Sequence, residues 1–231
     1  MLNAERKSAG ADALSYLTQR ESESTVANEK GTHVVIYYAS GEVRGRLLMV
    51  DEEISGITCR SGSWAWFHED GTISSCEPVH DITLGEISCR TGVRIHFHEN
   101  GRIMKCHLQS DRMLKGVPVC SDTFVLFHEN GNLAACRLSE GFQIQGIPCM
   151  TGKWIGFNED GSLKRCFLST DTLVNGLLLR TGSWVSFQKN GALDTYKLSE
   201  DAVVQDTKCD TGDILVFDNK GNLTEKIPAR Q

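Results

Sequence analysis

Residues 121–138 read Ser121-Asp-Thr-Phe-Val-Leu-Phe-His-Glu-Asn-Gly-Asn-Leu-Ala-Ala-Cys-Arg-Leu138, and close variants of this stretch recur along the 231-residue chain. Three positions repeat every 30 residues: a turn glycine, an aromatic residue four before it and an aliphatic residue two after it. The glycines are Gly41, Gly71, Gly101, Gly131, Gly161, Gly191 and Gly221. One fixed period of roughly 20 to 50 residues is typical of repeat proteins. The sequence therefore predicts seven abutting repeats in one elongated all-β domain.

Each repeat contains three short segments rich in aromatic and β-branched residues, separated by turn signals. Residues 154–157, 133–138 and 144–149 are examples. Three strands in a simple antiparallel meander would turn every second repeat upside down. A coil that turns a corner after each segment avoids this, so the sequence favours a β-solenoid with one repeat per coil. Pro118 and Pro148 indicate that the third segment lies at an edge or a bulge.

The turn glutamates indicate a second arrangement. In a solenoid, Glu69, Glu99 and Glu129 would stack about 4.8 Å apart, where like charges repel each other. If only two segments per repeat are strands, each repeat is a hairpin and the glutamates lie about 10 Å apart. An antiparallel hairpin array or a closed barrel therefore stays open as the alternative.

The motif Phe127-His-Glu-Asn-Gly-x-Leu133 resembles the turn of the bacterial MORN-like β-hairpin repeats, whose units carry an aromatic-x-x-Asn-Gly-x-Leu pattern. The likeness covers about eight residues of each repeat, and this chain has six or seven extra residues around its Pro-Cys-x-Thr-Gly segment. The resemblance implies short antiparallel hairpins.

The first 30 residues precede the repeats. Residues 4–20 contain good helix formers, with Ala11, Leu14 and Leu17 on one face, which predicts a short amphipathic helix. Residues 21–31 are polar and are interpreted as a connector. We therefore expect residues 1–30 to form an N-terminal helical cap and connector, and residues 31–231 to form the seven-repeat β domain.

Composition excludes some classes of function. The net charge of -6 and the pI near 5.7 argue against a nucleic-acid-binding protein. The chain has no apolar leader at its start, and no segment reaches the roughly 18 to 20 apolar residues of a membrane span. Its nine cysteines lack C-x2-C spacing. We expect a cytoplasmic protein whose reduced cysteines serve as packing residues.

A column of histidines with adjacent glutamates is the candidate metal site. It comprises His68, His98 and His128 with Glu69, Glu99 and Glu129. Imidazoles stacked on successive coils, with carboxylates beside them, could bind Zn²⁺ or another divalent metal. The column continues as Asn158, Gln188 and Asp218, which favours a polar turn role. The leading expectation is that no cofactor is needed, with a divalent metal as the alternative.

An active site would lie where copies depart from the repeat, because one catalytic centre cannot be sevenfold. The departures cluster in the first four repeats and give the catalytic candidates His96, His98, Trp66 and Cys120. A histidine beside Cys120 could act as the base for a nucleophile. The known sequence motifs for serine hydrolases, zinc proteases, phosphate loops and dinucleotide binding do not occur.

Three tryptophans, Trp64, Trp154 and Trp184, share one position of the repeat. On an outer face they would form a platform for a sugar or a peptide; the alternative is that they belong to the core. Repetition without a catalytic motif favours a non-enzymatic scaffold that binds a protein partner or self-associates through its regular faces. The alternatives are an enzyme or small-molecule-binding protein with a pocket around His96, His98 and Trp66, and metal binding by the histidine column.

Overall fold

The computed structural model describes residues 22–28 and 31–229, with side chains from residue 34 onward. Within these residues the chain forms 27 β-strands and no helix, so the predicted all-β repeat fold is confirmed. It follows that the described part contains no helix able to cross a membrane. The helix predicted for residues 4–20 lies outside the described residues.

Fifteen strands form one main sheet, in which chain order and spatial order agree. They are β1 (Ser22–Asn28), β2 (Gly31–Tyr37), β3 (Val43–Leu47), β6 (Trp64–Phe67), β7 (Ile73–Cys76), β10 (Ile95–Phe97), β11 (Ile103–His107), β14 (Phe124–Phe127), β15 (Leu133–Arg137), β18 (Trp154–Phe157), β19 (Leu163–Phe167), β22 (Trp184–Phe187), β23 (Leu193–Lys197), β26 (Ile214–Phe217) and β27 (Leu223–Ile227). The segment predicted as a connector thus contains a strand, β1, which pairs with β2 over its full length.

Six small two-stranded sheets lie between successive pairs of main-sheet strands in the sequence. They pair β4 (Glu52–Ile54) with β5 (Ile57–Cys59), β8 (Ile82–Leu84) with β9 (Ile87–Cys89), β12 (Arg112–Leu114) with β13 (Val117–Val119), β16 (Phe142–Ile144) with β17 (Ile147–Cys149), β20 (Thr172–Val174) with β21 (Leu177–Leu179), and β24 (Ala202–Val204) with β25 (Thr207–Cys209). We call these the small hairpins.

The strands on either side of Gly131 run antiparallel, which decides between the two predicted arrangements. Leu126 pairs with Ala135 and Phe127 pairs with Leu133, with a bulge between the two pairs. Each repeat contributes such a hairpin to the main sheet, so the favoured solenoid is wrong and the hairpin array is present. In the described residues β1 and β27 lie at opposite ends of the strand order, so the sheet is open and no closed barrel forms.

The turn of each main hairpin explains the invariant glycine within the repeat. The amide of His128 donates to the carbonyl of Asn132 at 2.8 Å, and the amide of Gly131 donates to the carbonyl of His128 at 2.8 Å. Gly131 has φ of 84°, a left-handed conformation that costs other residues free energy. The extra residue of the bulge then returns the chain to the sheet with stronger twist.

The third segment of each repeat is itself a hairpin, which resolves the parity problem. Its two-residue loops include Gln145-Gly146 and Asn175-Gly176, where both residues have positive φ as in a type I′ turn. Four strands per repeat is an even number, so every repeat keeps the same orientation. Pro118 and Pro148 lie in the second strands of two small hairpins, in agreement with the predicted edge position.

The core lies between the main sheet and the small hairpins. Alternate residues of the sheet strands face it, including Ala65, Ile95 and Val125, each 0% exposed. Cysteines from the two layers meet there. Hydrogen bonding to Cys59, followed by burial, raises the pKa of the Cys76 thiol. The pairs Cys89 with Cys106 and Cys149 with Cys166 repeat this contact. Described cysteines are free thiols, buried except for Cys120.

An aspartate before five of the six small hairpins closes the loop that returns the chain to the main sheet. The carboxylate accepts a hydrogen bond from the amide of the residue ten positions later. The bonds are Asp51 to Ser61 at 2.8 Å, Asp81 to Thr91 at 2.6 Å, Asp111 to Ser121 at 2.7 Å, Asp171 to Thr181 at 2.8 Å and Asp201 to Thr211 at 2.8 Å. The Thr181 amide and the Arg180 guanidinium lower the pKa of Asp171 to about 2. One copy has Gly141 instead, so Thr151 has no such carboxylate.

Candidate functional site

The histidines of this column, and the residues Tyr38 and Gln188 at the same position, join their repeats to the next through hydrogen bonds. Nε2 of His68 lies 3.1 Å from the carbonyl oxygen of Phe97, 29 residues ahead. The same bond joins Tyr38 to Phe67 at 2.8 Å, His98 to Phe127 at 3.0 Å, His128 to Phe157 at 3.0 Å and Gln188 to Phe217 at 3.2 Å. Because a carbonyl oxygen only accepts, the ring nitrogen in each histidine bond carries the proton.

In the hairpin array the histidines lie farther apart than the predicted metal site requires. Equivalent residues lie two strands apart, about 10 Å, and not one strand apart as in a solenoid. The glutamates that follow the histidines, Glu69, Glu99 and Glu129, are exposed on successive turns at the same interval. Across residues 22–28 and 31–229, no three His, Cys, Asp or Glu side chains lie close enough to hold a metal ion together.

The candidate nucleophile and its candidate bases lie on different elements. Cys120 follows β13 of a small hairpin, and its amide donates to the carbonyl of Arg137 in β15 at 2.9 Å. His96 lies in β10, three strands from β15 in the main sheet, a separation of about 14 Å. His98 lies at the turn end of β10, where it bonds Phe127. The structure therefore does not bring Cys120 together with either histidine.

Trp66 and His96 instead lie on the face of the main sheet that the small hairpins do not cover, which we call the open face. Along β6, Ala65 points into the core, so Trp64 and Trp66 point to the opposite side. The pairing of Trp66 with Ser75, of Ser75 with His96 and of His96 with Lys105 continues this side across four strands. The open face is thus one surface that runs across the repeats.

The three predicted tryptophans lie on this face with other aromatic residues. Trp64 stacks on Trp66, with ring centroids 5.3 Å apart and an angle of 22° between the planes. Phe124 lies 4.9 Å from Trp154 by ring centroids, although β15 separates their strands. Trp154 is 37% exposed. The tryptophan column is therefore a partly exposed surface and not a closed core.

Arg137 makes the contact between these two rings possible. It pairs with Trp154 in the ladder, yet its guanidinium bends away to bond the carbonyl of Gly152 and the carboxylate of Asp122, each at 2.8 Å. The two rings lean together over the backbone that it leaves uncovered. We call the residues Trp64, Trp66, Phe124, Trp154, Phe167 and Trp184 the aromatic row.

Glycine and arginine hold the start of the aromatic row in place. A Cβ on Gly45 would lie 2.6 Å from Cε3 of Trp66, so the indole rests directly on the glycine backbone. Arg94 donates to the carbonyl oxygen of Trp64 at 2.7 Å and to Oγ of Ser75 at 3.2 Å. His96 lies beside this group, where burial and the charges of Lys105 and Arg94 lower its pKa to about 4.

Lysine ammonium groups lie over two of the aromatic rings. Nζ of Lys105 lies 4.3 Å from the ring centroid of Phe124, and Nζ of Lys153 lies 5.7 Å from that of Phe167. The two ladders that cross the open face contain the cations Lys105, Arg137, Arg165 and Lys197 and the carboxylate Glu225. Arg94, bonded to Trp64, adds a cation, and Glu77 and Asp194 add carboxylates. The open face therefore carries excess positive charge on a protein whose net charge is -6.

Sequence reasoning identified the tryptophan column, whose repeat position Phe124 shares, but missed Phe167 as its neighbour and Arg94, Lys105 and Arg165 as its cations. Phe167 precedes the third segment, and only the antiparallel register, which pairs it with Trp184, brings it to the row. The position of Lys105 could have been predicted from strict alternation along β11, because residues two apart in a strand share a face and Lys105 lies two residues before His107.

Comparisons with known proteins add a distant structural likeness only. No protein-family model and no curated protein matches the chain. Nine solved chains match, among them two structures of the modular autolysin LytC from Streptococcus pneumoniae, one at 1.6 Å resolution and one in complex with a synthetic peptidoglycan ligand. Each is 13% identical, covers 90% of this chain and 48% of its own, and has a TM-score of 0.12. This chain spans about half the length of those chains, and at that TM-score they assign it neither fold nor ligand.

Proposed function

We propose that this protein is a non-enzymatic binding scaffold whose open face takes an extended acidic segment of a partner protein. One observation carries the proposal: a row of aromatic rings with cations stacked on it crosses the uncovered side of the sheet, and the rest of the chain is acidic. Aromatic and arginine side chains supply much of the binding free energy at protein interfaces.

The chemistry of the row matches a peptide that mixes apolar and acidic side chains. The indole of Trp154 offers apolar surface to a side chain of the partner. Lys105 and Arg165 lie on the adjacent ladder, within reach of carboxylates on the same segment. The acidic remainder of the protein repels the same segment elsewhere, so charge directs the partner to this face.

The charge density fits a peptide better than a nucleic acid. Arg94 and Arg137 are already bonded to backbone and carboxylate groups of the chain. Glu77 and Glu225 add negative charge to the same face. A phosphate backbone needs a denser row of available cations than this.

The open face supports binding better than catalysis. With a pKa near 4, His96 is neutral at pH 7 and is a weak base there. Its ring then contributes a flat polar surface beside Trp66. Cys120 is bonded to Arg137 of β15, a strand about 14 Å from that of His96, so the pair that would make a nucleophile and base is not assembled.

The test is a titration of the protein with a short synthetic peptide of Asp, Glu and Leu. A second peptide with Asn and Gln in place of the acids is the matched control. We expect the acidic peptide to bind more tightly by about tenfold or more, and Lys105→Glu with Arg165→Glu to abolish that difference. Lys115→Glu with Lys208→Glu, both on exposed positions of small hairpins, makes the same charge change elsewhere, and Lys208→Glu alone makes half of it; both should leave binding nearly intact.

Three results would contradict the proposal: equal binding of the two peptides, equal loss of binding in the Lys208 variant, or tighter binding of oligothymidine or a neutral glucan.

Trp154→Ala separates stacking from charge, because it removes ring surface without changing charge. It should weaken the acidic peptide while the salt dependence of binding stays the same.

Self-association is a second candidate function, favoured by exposed apolar residues on the outer side of the small hairpins. Met113 is 54% exposed, Leu173 69%, Leu178 46% and Val203 67%, and Leu173 pairs with Leu178 across one hairpin. Exposed apolar pairs such as Leu173 with Leu178 are typical of surfaces that make protein contacts. Leu173→Ser with Leu178→Ser should lower the association constant in sedimentation equilibrium, whereas Lys197→Ser on the open face should not. A monomeric parent protein at high concentration would exclude this function.

A further inference from the structure

The first loop residue of each small hairpin lies over the turn edge of the main sheet, and its side chain determines what fills the space beneath. These residues are Ser55, Gly85, Lys115, Gln145, Asn175 and Gln205. Each precedes by 18 positions the aliphatic residue that follows a main-sheet turn. The six copies therefore allow the same space to be compared, within one chain, beneath five different residue types.

Glutamine fills this space by bonding the backbone of the sheet. Oε1 of Gln205 accepts from the amide of Leu223, and its Nε2 donates to the carbonyl oxygen of Gly221, both at 2.7 Å. Oε1 of Gln145 likewise accepts from the amide of Leu163 at 3.1 Å. A carboxamide suits the position because it supplies one acceptor and one donor on a short apolar arm.

Gly85 has no side chain, and a Cβ built on it would meet open space. A crevice of about 450 Å³ lies here, lined by Leu84 and Ile87 of this hairpin and by Ser55 and Ile57 of the preceding one. The backbone groups equivalent to those that Gln205 bonds belong to Gly101 and Ile103, and both residues line the crevice. Most of its walls are apolar, from Ile57, Ile73, Leu84, Ile87, Phe97 and Phe127. Ser55, Thr72 and Arg102 also line it, and the guanidinium of Arg102 is bonded to the carbonyl oxygens of Glu129 and Asn130. Where Asn175 takes the same position, the space is smaller, about 250 Å³.

We propose that the crevice at Gly85 is a binding site for a carboxamide on a short apolar arm, as in a glutamine side chain of a peptide. The ligand carbonyl accepts from the amide of Ile103, its NH₂ group donates to the carbonyl oxygen of Gly101, and its methylene groups contact Phe97 and Phe127. The site lies at the turn edge of the sheet, so it is separate from the open face and does not depend on the proposed function. A volume of about 450 Å³ lies within the usual range for small ligands.

The site should distinguish ligands that carry both a hydrogen-bond donor and an acceptor from ligands that carry an acceptor only. Butyramide offers both groups, whereas butyrate has the same carbon chain without a donor and carries a charge. Titration of ¹⁵N-labelled protein should shift the amide resonance of Ile103 with butyramide, and N-acetylglutamine amide should act likewise. Butyrate should shift it at least tenfold less at equal concentration.

Variants taken from the chain's own loops provide the controls. Gly85 has positive φ but Glu86 does not, whereas both loop residues at Gln145-Gly146 do. Gly85→Gln with Glu86→Gly therefore copies residues 145–146, and it should fill the crevice and abolish the butyramide shift. Gly85→Lys with Glu86→Gly copies residues 115–116, adopts the same loop without a carboxamide, and should retain the shift.

A third variant creates a crevice at a position that glutamine fills in the parent protein. Gln205→Gly should open an equivalent space, so that butyramide shifts the amide resonance of Leu223, which the parent protein does not allow. Equal responses to butyramide and butyrate, a shift that survives in the Gln-Gly variant, or no shift at Ile103 would overturn the proposal. Circular dichroism of each variant verifies that it is folded, and the Gln205 site gives a second result if one loop exchange fails.

Discussion

Replacement of His128 by alanine removes one of the bonds that join successive repeats. Nε2 of His128 lies 3.0 Å from the carbonyl oxygen of Phe157 and is partly buried. A hydrogen bond of this kind contributes about 0.5–1.5 kcal/mol to the free energy of unfolding, so we expect a loss of about 1 kcal/mol. For a chain of this size, each kcal/mol corresponds to about 2–4 °C in melting temperature.

Two other substitutions at the same position separate the bond from general polarity. His128→Gln should retain most of the stability, because Gln188 makes the equivalent bond to Phe217 at 3.2 Å. His128→Asn should behave like alanine for the link between repeats, because Asn158 instead bonds Ser162 within its own turn at 2.9 Å. The expected order of stability is therefore His, then Gln, then Asn and Ala.

Urea unfolding followed by tryptophan fluorescence and by circular dichroism would measure this order. Both probes are needed, because a repeat array can lose its two-state behaviour when one link between repeats weakens. Equal stability of the alanine and glutamine variants would refute the reasoning, since the bond would then contribute nothing. Thermal unfolding of the same four proteins provides an independent measurement.

Three further predictions concern single positions. Gly141→Asp should raise the melting temperature, because a carboxylate there reaches the amide of Thr151 as in the other copies, and Gly141→Asn should raise it less. Gly45→Ala should destabilise the protein by about 1–3 kcal/mol in urea unfolding and shift Trp66 fluorescence, because the added Cβ overlaps the indole. Folding lowers the pKa of His96 from about 6.5 to about 4. Between these pH values the unfolded chain binds more protons than the folded chain, so the free energy of unfolding declines as the pH drops from 6.5 to 4. His96→Leu should flatten that decline in urea unfolding, and an unchanged pH profile would contradict the assignment.

The repeat and its main hairpin could be predicted from the sequence because they depend on local chemistry. Gly131 needs positive φ, and the residues before and after it alternate between core and surface. The period, the strands and the turn are all encoded within a few residues of that glycine, as the fixed spacing of its six equivalents indicates.

The choice between solenoid and hairpin array depended on a count of segments, and the count was wrong. The third segment, exemplified by residues 144–149, was counted as one strand, yet its copy in the next repeat contains Asn175-Gly176, a dipeptide that strongly favours a two-residue hairpin loop. Two strands of three residues are shorter than the usual strand, so alternation could not reveal them. Because this turn was missed, a repeat of four strands was counted as a repeat of three.

The aromatic row could be predicted only in part for a different reason. A common position in the repeat placed Trp64, Trp154 and Trp184 together, but their neighbours come from the returning strands. Which residue of β19 faces Trp184 depends on the bulge that follows the turn, and a shift of one residue would place Phe167 in the core. Periodicity alone does not determine that register.

The even number of strands in each repeat has a consequence for length. Because every repeat enters and leaves the main sheet in the same direction, a whole copy can be gained or lost without reversing any other. Each copy changes the span of the open face by two strand spacings, about 10 Å, or about three residues of an extended peptide. Deletion of residues 142–171 should therefore shorten the longest peptide that the face protects from proteolysis by about that amount, so that gene duplication in units of 30 codons would set the reach of the protein in fixed steps.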